Sequence, residues 1–66
     1  MEMMLRTLAR ELLAERVPLD QAARMLEHAM IGQLIGEEVP LNEIAQRLQI
    51  SRHVLLRKRR KLGLAH

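Results

Sequence analysis

Cysteine, phenylalanine, tyrosine and tryptophan are all absent from this 66-residue chain, and it has only two prolines and three glycines. Without cysteine no disulfide can form and no thiolate can bind a metal. No apolar run approaches the ~20 residues needed to cross a bilayer, and the N-terminus lacks the charged and apolar regions of a signal peptide. No glycine-rich phosphate loop is present, and no stretch alternates polar and apolar residues with period two. The length allows one domain and leaves no room for a two-lobed substrate cleft. A domain of this size buries only ~60% of the surface its unfolded chain exposes. Disulfides, metals or partner subunits usually rescue such small cores, and here only a partner remains.

Acid is missing from one end. Residues 1 to 46 carry all eight acids and four bases (Arg6, Arg10, Arg16, Arg24), a balance of −4. Residues 47 to 66 carry Arg47, Arg52, Arg57, Lys58, Arg59, Arg60 and Lys61 and no acid, a balance of +7. Five consecutive bases repel one another, so the pattern reads as a polyanion-binding end on an acidic scaffold.

Leu, Ala, Met, Arg and Glu dominate, and the apolar spacing predicts four helices. The first covers about 2–16, with Met1, Leu5, Leu8 and Leu12 in one stripe and Met4, Ala9 and Leu13 widening it. Pro18 ends it, because proline disfavours helix at the residue before it. The second covers about 19–35, with Asp20 early and Gly36 as a stop. It is apolar on more than one face, which implies a helix sandwiched between its own domain and a second subunit. Gly32 reads either as a site of close helix crossing or as a tolerated glycine costing ~1 kcal/mol relative to alanine. The third helix covers about 41–48. The fourth, about 52–62, starts after Ser51 as N-cap and stops at Gly63. Val17-Pro18-Leu19-Asp20 returns 22 residues later as Val39-Pro40-Leu41-Asn42, the same helix-start chemistry used twice.

The last two helices carry the function. Ile44-Ala45, Leu48, Ile50-Ser51 and Leu55 have the spacing of a helix-turn-helix. Ala45 is small where the second helix crosses close by. Ile44, Leu48, Ile50 and Leu55 form the small core between the helices, and Ser51 satisfies amides at the start of the second. Such a turn lets the second helix project into the DNA major groove.

The run from Ile44 to Arg52, with Leu55, Arg57-Lys58 and the ending Lys61-Leu62-Gly63-Leu64, resembles the Fis-type helix-turn-helix. That family includes the nucleoid protein Fis and the C-terminal domains of NtrC-type bacterial enhancer-binding regulators. The resemblance is best over 41–64. It implies a four-helix subunit whose first two helices form an intertwined homodimer, with paired recognition helices in successive major grooves of bent DNA. By position it implies DNA contacts at Ser51, Arg52, Val54, Leu56, Arg57 and Lys58, with Asn42 near a phosphate. The chain departs from the family at Gln49, usually glycine, at Val39-Pro40, usually Gly-Asn, at Arg59, usually a core leucine, and at Leu56, often polar or basic.

A helical wheel with Leu55 facing the core puts His53, Arg57 and Arg60 opposite it, and Arg52, Val54, Leu56 and Lys61 on the flanks. Base contacts are then expected from Arg52, His53, Leu56 and Arg57, and phosphate contacts from Lys58, Arg60 and Lys61. His28, His53 and His66 show no metal-ligand spacing. Ser51 and His53 are not a nucleophile pair, and Glu37-Glu38 reads as a solvated loop.

The sequence therefore predicts an all-α domain over 1–66, with dimerisation helices at 1–36 and a helix-turn-helix at 41–64. The expected dimer interface is Met4, Leu5, Leu8, Leu12, Leu26 and Met30. The expected function is sequence-specific binding of double-stranded DNA as a homodimer presenting fourteen bases. The setting is a bacterial transcription regulator at the cytoplasmic nucleoid, with the transcription machinery as a further partner where the chain belongs to a larger regulator. No catalysis, cofactor or membrane is expected, since the fourth helix has only a narrow apolar stripe. The alternative is a helical interaction and dimerisation module whose basic helix binds an acidic partner.

Overall fold

A computed structural model describes residues 1–64. These form four α-helices and no strand: α1 (Glu2–Ala14), α2 (Leu19–Gly36), α3 (Leu41–Leu48) and α4 (Arg52–Lys61). Among the described residues, no helix is long and apolar enough to cross a membrane.

All four helices end in the same way. A residue in the left-handed conformation follows each one: Arg16 (φ 56°), Glu38 (φ 59°), Gln49 (φ 56°) and Gly63 (φ 73°). In each case the next amide, of Val17, Val39, Ile50 or Leu64, reaches back to a carbonyl five residues earlier, at 2.8 to 3.1 Å. This is the Schellman ending, which favours glycine at the left-handed position and an apolar residue after it. Only the apolar half of that preference is met throughout.

Three expectations are corrected here. Gly36 is the last residue of α2 and not the left-handed stop, a role taken by Glu38. The first helix ends at Ala14, two residues short of the expected boundary, because Arg16 turns left-handed before the proline constraint acts. A Cβ added to Gly32 would meet only Leu64 Cδ2 at an ordinary 3.8 Å, so no close helix crossing requires this glycine.

The 22-residue echo has a structural meaning. Pro18 and Pro40 are the N-caps of α2 and α3, with φ,ψ of −61°,148° and −60°,148°. Their carbonyls accept from Ala22 and Ile44 at 2.9 and 3.0 Å. The repeated unit is thus a complete connection, left-handed residue, apolar lock and proline restart.

The core lies at the C-terminal end of the fold. Ile31 of α2, Ile44 and Ala45 of α3 and Leu55 of α4 are buried, with Leu34, Ile35, Val39, Leu41, Leu48, Ile50, Leu62 and Leu64 packed around them. Helix α2 is indeed apolar on two sides. Ile31, Leu34 and Ile35 face this core, while Ala22, Met25, Leu26 and Ala29 line a groove with Leu8 and Leu12 of α1. Helix α1 itself has no buried residue.

Candidate nucleic-acid interface

The N-terminus of α4 is held by Ser51, whose Oγ accepts from the Val54 amide at 3.1 Å. From there Arg52 Nη1 donates to Asn42 Oδ1 of α3 at 3.1 Å. That bond joins the first turns of α3 and α4, so Asn42 and Arg52, ten positions apart in sequence, become neighbours on an exposed surface that also carries Ser51. His53 and Arg57 are exposed beside them, and Val54 and Leu56 are half-buried on the flanks. Arg60 and Lys61 are exposed further along α4. Helix α4 contains no acid.

Two of the five consecutive bases are taken out of this surface. Lys58 Nζ is ion-paired with Glu27 of α2, a partner 31 residues away, and its side chain is only about a third exposed. A phosphate contact by Lys58, expected from the sequence, would have to compete with Glu27 for its ammonium group. Arg59 is 8% exposed, and its Nε donates to the Leu64 carbonyl at 3.2 Å, clasping the turn that ends α4. It occupies a buried position one turn after Leu55, where the resembled family usually has a core leucine. Arg47 is paired with Glu43 within α3 at 2.6 Å.

Four cations of the C-terminal seven, Arg52, Arg57, Arg60 and Lys61, are thus outside ion pairs among the described residues. A symmetric pair of chains would present eight such cations, and not fourteen. Glu27 is the residue that sequence reasoning missed. No local pattern marks it, because its partner comes from packing α2 against α4.

The remaining residues fall outside this surface. Met4 (69% exposed), Leu5 (51%), Leu8 (41%), Leu26 (48%) and Met30 (49%) leave much apolar area open to solvent, and Leu12 is half-buried. Among the described residues no three His, Cys, Asp or Glu side chains cluster as metal ligands; His66 lies outside the described residues. No family model, curated protein or solved structure matches the chain.

Proposed function

We propose that this chain is a sequence-specific, double-stranded DNA-binding domain that acts as a homodimer in bacterial transcription regulation. The observation that carries the reading is the acid-free helix α4, whose Arg52, His53 and Arg57 lie with Ser51 and Asn42 where the first turns of α3 and α4 are joined, the one acid there, Glu43, being paired with Arg47. Free cations dock on phosphates, which fixes orientation without reading sequence. The first turns of α4 then enter the major groove. There Arg57 and Arg52 pair with guanine edges, and Leu56 meets a thymine methyl. The Arg52–Asn42 bond holds the guanidinium ready, which lowers the entropy lost on binding.

The surface area supports the dimer. The chain exposes 5594 Å², against about 4,300 Å² for a compact monomer of 7.7 kDa. Its radius of gyration is 13.3 Å, where about 11 Å suits 66 residues. The excess lies on α1 and the outer face of α2, where the exposed methionines and leucines are. Covering it twice over in a two-fold dimer buries an area in the range of obligate interfaces.

Binding to duplex DNA at physiological salt tests the reading, best with sequences selected from a random duplex pool. Arg57→Ala is expected to lower affinity for the selected duplex about tenfold or more while leaving helicity unchanged. Unchanged affinity in a gel-shift titration counts against the assignment. Contacts confined to the eight unpaired C-terminal cations of a dimer would give a slope of log affinity against log salt of at most about −7.

A further inference from the structure

Arg24 and His28 sit in the acidic half of the sequence, yet the fold brings them to the basic end of α4. Gln21, Arg24, Met25 and His28, on one side of α2, line a single open concavity of about 470 Å³ with Lys61 and Leu62 of α4. Its polar lining is made of an amide, a guanidinium, an imidazole and an ammonium, and no acid lines it. Arg24 is paired with Asp20, whose Oδ2 is 3.6 Å from Arg24 Nη1 with both side chains more than half exposed. Such a loose pair contributes little and yields readily to a stronger anion.

The concavity is continuous with the proposed reading surface. Lys61 also lines a second depression with Val54, Arg57 and Lys58. One path of basic side chains therefore runs from Arg57, through Lys61, to Arg24 and His28. Lys58 is turned aside onto Glu27, which leaves Arg57 and Lys61 to define the path.

We propose that the Arg24–His28–Lys61 concavity binds a backbone phosphate of the DNA that flanks the segment read by α4. This rests on the DNA reading above and extends its footprint onto α2. The ligand chemistry is that of a phosphodiester oxyanion. Arg24 and Lys61 supply charge, and Gln21 and His28 supply hydrogen-bond donors. Like other phosphate contacts it adds affinity and no base preference.

Duplex length is the discriminating variable. Two duplexes carry the same selected sequence. The first is roughly 15 base pairs, enough for two half-sites one turn apart, and the second extends it by roughly one turn at each end. Wild-type chain is expected to bind the longer duplex more tightly. Arg24→Ala is expected to weaken the longer complex about three- to tenfold and lower its salt slope by about one per subunit, with the short complex unchanged. Asp20→Asn, which removes the competing carboxylate, is expected to strengthen the longer complex only. Circular dichroism of both variants is expected to show α2 intact, since both side chains are more than half exposed. Equal loss on both lengths, or no loss on either, overturns the flank assignment while leaving the DNA reading intact. A free anion at the site would give no dependence on length and overturns it equally. Failure of the wild type to bind the short duplex overturns the DNA reading, and this proposal with it.

Discussion

The two ends of the chain differ in how they are held. In the α3–α4 half, Ile44 and Leu55 are completely buried and Ala45 nearly so, with Ile31 of α2 packed into the same core. In the α1 half, no residue is buried, and the 13-residue helix has no side-chain N-cap and one i,i+4 ion pair, Arg6–Glu2 at 3.2 Å. An isolated helix of that length is marginal in water, and an exposed pair of this kind adds only ~0.3–0.5 kcal/mol. One half is thus stabilised by its own core, and the other leaves its apolar surface uncovered in the single chain; under the proposed dimer that surface is what a second copy covers. Stability of the first should be independent of concentration, and stability of the second should rise with it.

The largest effect that tests this contrast is expected from Leu55→Ala. Truncating a fully buried leucine costs ~2–5 kcal/mol, which is most or all of the stability of a domain this small. Thermal unfolding should show it at every protein concentration. A fall confined to dilute samples would mean that the α3–α4 core also depends on the second chain. Next comes Leu8→Glu, which puts a charge into the α1–α2 groove. Sedimentation is expected to give monomer, or unfolded chain, for the variant, and dimer for the wild type if the proposed homodimer holds. A folded monomer that binds DNA at full strength would remove the reason for α1's apolar stripe.

The smallest effects are stabilising and sharpen the comparison within the connections. Gln49 holds φ 56°, a conformation costing a non-glycine residue ~1 kcal/mol. Gln49→Gly is expected to raise stability by about that amount. Gly32→Ala should gain a similar ~1 kcal/mol, since the added methyl meets nothing closer than 3.8 Å. A loss in either variant, measured by chemical denaturation, would show that the backbone there is constrained by something other than its own conformation.

Most of the fold could be read from local chemistry. The apolar residues Val17, Val39, Ile50 and Leu64 mark the helix ends, Pro18 and Pro40 mark two starts and Ser51 a third. These work at short range, where backbone sterics and capping decide. The spacing of Ala45, Ile50 and Leu55 was equally legible, because helix periodicity puts those side chains on facing surfaces. Gly36 misled because a glycine near a helix end is a frequent stop, whereas the Schellman geometry here depends on the apolar residue three positions later.

What sequence alone determined is the charge division, acid in the first 46 residues and base in the last 20, together with the helices and their order. Tertiary structure decided which of those charges face solvent. It joined Lys58 to Glu27, drew Arg59 into the core and carried Arg24 and His28 to Lys61. The physical reason is range. Capping and periodicity act within a few residues, but a charge's partner depends on which faces two helices present when they pack, and α2 and α4 meet across some thirty residues of chain.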